Sequence, residues 1–146
     1  MDGIREYWEA SHYESDHDIG TPIAIAITTP ATGSYQLGCE LSCDTGVVLQ
    51  WYEGAAIGVA GTAMVWRNVN RQASAGDAVH VVAIEQGGTY TGGTLIRQRM
   101  SAWSEYLPSE APPPFTLKQS TTYLLKATTL ADNNDTTLIV RLSKRR

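Results

Sequence analysis

Positive charge is in short supply in this sequence, and so are cysteine and phenylalanine. Eleven Lys and Arg face fifteen Asp and Glu, a formal net charge of -4 at pH 7. A chain that binds nucleic acid by neutralising phosphates is usually basic, so nucleic acid is not expected as a partner. No segment approaches the roughly 20 consecutive apolar residues of a membrane helix, so no membrane partner is expected. The start, Met1-Asp2-Gly3-Ile4-Arg5-Glu6, lacks the apolar stretch of a secretory leader, which leads to the expectation of synthesis and folding in a cytosol. The two cysteines, Cys39 and Cys43, are four residues apart. On one extended strand their Cα atoms stand about 13 Å apart, and a disulfide needs less than about 7 Å. No further ligands accompany them at metal-site spacing, so they read as small apolar side chains of a strand.

Helical patterning is also missing after residue 15. What the sequence holds instead is an apolar fraction of 42% in 146 residues, enough to bury one core in one domain, laid out with a period of two. Tyr35, Leu37, Cys39, Leu41 and Cys43 share one face of an extended segment, and Gln36, Gly38, Glu40 and Ser42 the other. Further strands are expected at Ile23–Thr29, Val47–Glu53, Ala63–Val69, Val79–Ile84, Thr94–Met100, Phe115–Gln119, Thr121–Thr128 and Thr136–Leu142, all rich in residues that suit a pleated surface. Turn formers separate them: Thr29-Pro30-Ala31-Thr32-Gly33, Cys43-Asp44-Thr45-Gly46, Ala75-Gly76-Asp77, Gly87-Gly88 and Asp132-Asn133-Asn134-Asp135.

Short strands at this spacing, with no room for helical crossovers, predict an all-β antiparallel sandwich of jelly-roll type. The last two strands are expected to form a terminal hairpin, with Leu138, Val140 and Leu142 inward and Arg141 and Ser143 outward. Gly87–Gly93 is expected as one glycine-rich hairpin tip. Residues 1–18 read as an acidic arm or short helix, because Ile4, Tyr7 and Trp8 fit one helical face, and 19–146 as the sandwich domain. On that reading, deleting the first 15 residues leaves the β fold intact. Ser101–Pro114, with its Pro112-Pro113-Pro114 run, is an extended connection. Lys144-Arg145-Arg146 is a basic tail.

Chemistry-bearing clusters are sparse. His12, Glu14, Asp16, His17 and Asp18 form the densest polar group, which reads either as a metal or acid–base site or as a solvated acidic loop. The glycine and distal glutamate of a calcium loop are absent. No Gly-x-Ser-x-Gly elbow occurs, His80 lies within an expected strand, and Gly87–Gly93 does not match a phosphate-binding loop. No enzymatic activity, metal or cofactor is expected. Of the four tryptophans, Trp51 and Trp66 lie on expected strands and read as core. Trp8 and Trp103 lie on the arm and the long connection, where aromatics beside charges suit an interface or a sugar platform, and equally a buried loop anchor.

Trp51-Tyr52-Glu53-Gly54, Gly61-Thr62-Ala63-Met64-Val65, Asn68-Val69-Asn70-Arg71 and Phe115-Thr116-Leu117-Lys118-Gln119-Ser120-Thr121-Thr122-Tyr123-Leu124-Leu125 resemble a family of small tailed-phage virion proteins described as head decoration or capsid cement proteins. The resemblance spans about residues 12 to 142 and departs from the family pattern at Ser101–Pro114. It implies a jelly-roll-like sandwich on the capsid surface of a virion, made in the bacterial cytoplasm. It also implies the major capsid protein and further copies of itself as partners, a trimer ahead of a dimer, with no enzyme activity. Contacts are then expected at Ile4, Tyr7, Trp8, Trp103, Tyr106, Leu107, Arg145 and Arg146. The alternative is a carbohydrate- or receptor-binding module of the tail, with Trp103 and Tyr106 stacking on sugars.

Overall fold

A computed structural model describes residues 5–70, 81–101 and 114–145, and its described elements are all strands. Eight of them make the framework: β1 (Arg5–His17), β2 (Ile23–Thr28), β3 (Tyr35–Cys43) and β4 (Val47–Glu53), then β10 (Thr94–Ser101), β11 (Phe115–Thr116), β12 (Thr122–Thr129) and β13 (Asn134–Arg145). An insertion between β4 and β10 adds β5 (Ala56–Val59), β6 (Thr62–Ala63), β7 (Arg67–Asn68), β8 (Ala83–Gln86) and β9 (Thr89–Thr91). One sheet runs β11-β3-β13-β1-β7, the second runs β10-β4-β12-β2-β8-β6, and β5 pairs with β9 alone.

Within the framework the first strand pairs with the last, the second with the seventh, the third with the sixth and the fourth with the fifth, all antiparallel. A long hairpin wound on itself in this way is a jelly roll. Every framework connection except the one from β4 to β10 therefore crosses from sheet to sheet. This corrects the terminal hairpin: β12 pairs with β2 and β4, and β13 with β1 and β3. A polar turn between two alternating strands serves a hairpin and a sheet-crossing arch equally, so the local sequence does not distinguish them.

The inward residues of the two sheets meet in one core. Leu138, Val140 and Leu142 are fully buried, as their alternation predicts, against Ile25, Ile27, Trp51 and Leu125 of the opposite sheet. Trp51 and Trp66 are both core residues. Arg141 faces out, whereas Ser143, expected outside, is buried. Cys43 is buried, Cys39 half-buried, and no disulfide joins them. Burial pushes the Cys39 thiol up to about 12.

The largest departure from expectation is at the start of the chain. The residues read as an arm or short helix form the 13-residue strand β1, which pairs with β13 from Arg5–Arg145 to His17–Asn134. Trp8 and Ala10 point into the core while Tyr7 and Tyr13 point out. Glu6 and Glu14, on the same parity as Trp8, and the small Ala10 conceal this period of two. β1 lies in the same sheet as β3 and β13, and a deletion of residues 1–15 would remove most of it. The expected strand Ala63–Val69 splits into β6 and β7, because Met64–Trp66 crosses between the sheets. Phe115–Gln119 shortens to β11, and Gly87–Gly93 encloses β9 rather than forming one tip. Where β6 begins beside the end of β8, the backbones approach so closely that a Cβ on Gly61 would collide with the Gln86 carbonyl oxygen.

Candidate interaction surface

The polar cluster near His17 is committed to the fold. His17 is buried at the end of β1, with Nε2 donating to the Thr21 carbonyl oxygen at 2.6 Å and Nδ1 3.2 Å from Thr136 Oγ1. A carbonyl only accepts, so Nε2 carries the proton and both ring nitrogens are engaged. The neighbouring carboxylates hold turns in place. Asp135 Oδ1 accepts from Asp16 N at 3.1 Å, Asp18 Oδ1 from Asn133 N at 3.0 Å and Asp132 Oδ1 from Ile19 N at 2.9 Å. The buried Asn134 side chain accepts from Asp44 N and Thr45 N, each at 2.9 Å. These bonds satisfy backbone donors where the chain crosses between sheets. Among the described residues no His, Cys, Asp and Glu converge as metal ligands.

Two of the segments that carry the family resemblance, Trp51–Gly54 and Phe115–Leu125, meet in the fold. The Trp51 and Phe115 rings stand 5.1 Å apart with the Arg97 guanidinium 3.9 Å from the Phe115 ring. Glu53 binds Lys118 Nζ at 2.8 Å and accepts from the Tyr123 hydroxyl at 3.0 Å, while Lys118 N donates to that hydroxyl at 2.8 Å. The hydrogen bond from Lys118 holds the Glu53 carboxyl below its usual range, and burial raises the Tyr123 phenol. Gly54 N and Ala55 N both donate to the Thr122 carbonyl oxygen. These contacts fasten β4 and β10 to β11 and β4 to the start of β12.

What the described residues leave open is an edge. β7 pairs with β1 only at Trp8–Asn68 and Glu9–Arg67, extended by Val69 N donating to the Tyr7 carbonyl oxygen at 3.0 Å. Tyr7 and Glu9 therefore direct their backbone groups toward β7, and by the alternation of an antiparallel strand Ser11 and Tyr13 direct theirs the same way. Beyond Glu9 no described strand pairs with that side of β1. The chain at Met64–Trp66 has already turned to the other sheet. A groove of about 430 Å³ lies at this point, lined by Glu9, Ala10, Ser11, Met64, Val65, Arg67 and Ile139. Tyr13 is 59% exposed, Tyr7 50% and Val65 52%. Partial desolvation first, then the charges of Asp135, Asp16 and Asp44, raise the Tyr13 phenol above its ordinary value. His12 Nε2 lies 2.9 Å from Glu14 Oε2 along the strand.

Of the expected contact residues, Tyr7 is on this exposed face. Trp8 is not available: it is 5% exposed in the core, because β1 is a strand and its even positions face inward. Arg145 ends β13 opposite Arg5, and Lys144 before it lies 5.6 Å from the Tyr35 ring. Ile4, Trp103, Tyr106, Leu107, Arg146 and the Arg145 side chain lie outside the described residues, as does His80. Sequence reasoning missed Ser11 and Tyr13 as edge residues. Their only local signal is that Glu9, Ser11 and Tyr13 alternate with Trp8 and Ala10. No family model, no curated protein and no solved structure matches this chain.

Proposed function

We propose that this protein is a non-catalytic structural component that works by binding other protein chains in an assembly. The observation that carries this reading is the outer edge of β1, unpaired beyond Glu9 among the described residues, beside a groove and two exposed tyrosines. An exposed strand edge is a template for another chain, with main-chain bonds for affinity and neighbouring side chains for specificity. The buried histidine and the carboxylates around it are engaged in holding turns, which supports a binding role over acid–base chemistry.

On the resemblance of its strand and turn motifs, the assembly is the head of a tailed phage, and the protein is a decoration or cement protein on the outer surface of the major capsid protein. A repeated shell offers many identical sites, so a modest interface gains by multiplicity. Fold alone does not assign this role, since jelly rolls serve many functions. Mass spectrometry of purified particles tests it. Hundreds of copies per particle, lost together with capsid stability when the protein is omitted, are expected. Absence from the particles, or a handful of copies at the tail, would overturn the capsid role.

A further inference from the structure

We propose that the open edge of β1 pairs with the same edge of a second copy, antiparallel and two-fold, centred on Tyr13. Two features of the chain bound the usable window. At one end β7 occupies the edge at Glu9, and Trp66 and Val65 cross just beyond it. At the other end the ladder is bulged between Glu14 and His17, and Asp16 has a left-handed φ of 51° that takes the chain out of register. What remains is Ser11-His12-Tyr13-Glu14-Ser15, whose midpoint is Tyr13.

A two-fold antiparallel pair over that window has one register. Tyr13 faces Tyr13 of the second copy, Ser11 faces Ser15, and His12 faces Glu14 on both sides of the axis. The parity fits: Tyr13 and Ser11 carry the outward N–H and C=O groups, so they form the hydrogen-bonded pairs. His12 and Glu14 form the non-hydrogen-bonded pairs, in which side chains approach closest. Charge fits as well, because each His12 meets a carboxylate from the other copy in addition to its own Glu14 at 2.9 Å. Registers shifted by one pairing step place His12 against His12 or Glu14 against Glu14. The window contains neither of the usual guards of a strand edge, Lys or Pro. The outcome is one continuous sheet through two protomers, a two-fold arrangement where the family resemblance puts a trimer first. The pair does not require the capsid role, so the two fail separately: isolated protein tests the pair, and particles test the role.

Light scattering and sedimentation of the full chain from micromolar to millimolar concentration read the pair directly. A wild-type dimer is expected, and Tyr13→Pro removes a central outward donor without touching the β1–β13 ladder. That variant should weaken the dimer by at least about tenfold with an unchanged circular dichroism spectrum. A second arm is independent of proline. His12→Glu sets carboxylate against carboxylate and weakens the dimer, and adding Glu14→Lys on that background restores it. A wild type that stays monomeric throughout, a dimer indifferent to both arms, or capsid binding lost in Tyr13→Pro from a monomeric wild type would each overturn the proposal. The last would assign the edge to a strand of another protein.

Discussion

Two strands at one side of the sandwich, β1 and β2, meet the same insertion and are treated differently. β2 is covered from Ile25 to Thr28 by β8, and β8 in turn by β6. β1 is covered at Trp8 and Glu9 and then left. The compositions explain the difference. Ile25, Ala26 and Ile27 are each at most 1% exposed, so β2 is apolar on both faces, as a central strand must be. β1 alternates Trp8 and Ala10 with Glu9, Ser11 and Tyr13, and an alternating strand tolerates an edge. The insertion spends its strands where exposure would cost most and leaves the tolerant edge for a partner.

Breaking the insertion should erase this contrast at the largest cost. Trp66 is buried at 3% where the chain crosses between sheets, and its Nε1–H donates to the Val82 carbonyl oxygen at 2.9 Å. Trp66→Ala is expected to cost about 3–5 kcal/mol in urea unfolding and to expose the β2 edge as well, seen as faster amide exchange in Ile25–Thr28. His17→Ala sharpens the contrast instead. It leaves the Thr21 carbonyl and the Thr136 hydroxyl without their partner at the β1–β2 corner, for about 1–3 kcal/mol, with no effect on dimer affinity. An equal loss of affinity would mean that the corner, not the edge, carries self-association.

The smallest effect is expected at Glu53 on β4, two strands from β2 in the same sheet. Glu53 is held below its usual range first by its hydrogen bond from Lys118. A carboxyl lowered in the folded state contributes stability above its unfolded value of about 4.3 and loses it as pH falls through the folded value. Lys118 is 72% exposed, so the gain is screened, under about 1 kcal/mol. Denaturation of Glu53→Gln against wild type should show a gap at pH 7 that closes toward pH 3, with both edges unchanged. A gap independent of pH would place the contribution in the Tyr123 hydrogen bond alone.

The sequence made much of the framework legible. The bounds of β3 and β4 are those expected, β2, β10 and β12 differ by a residue at an end, and Leu138, Val140 and Leu142 point inward as their alternation requires. Elements with one apolar face announce themselves. β5 does not, because every residue from Ala56 to Val59 is exposed, and its strand character comes from pairing with β9. β1 was misread because Ile4, Tyr7 and Trp8 imitate a helical stripe and Ala10 is a weak inward marker. The candidate site was the least legible part. Whether Ser11 and Tyr13 face solvent depends on where β7 stops, which is decided by the crossing at Met64–Trp66 more than fifty residues away. The contact role expected for Trp8 failed for the same reason, since its strand was not seen.

Residue-resolved amide exchange on the full chain at rising protein concentration tests the account most directly. His12 N–H, directed at β13, should be protected throughout. Ser11 and Tyr13 N–H should exchange fast in dilute solution and become protected as concentration rises. Protection of Ser11 and Tyr13 that is the same at every concentration, whether high or absent, would contradict an edge left open for a second copy.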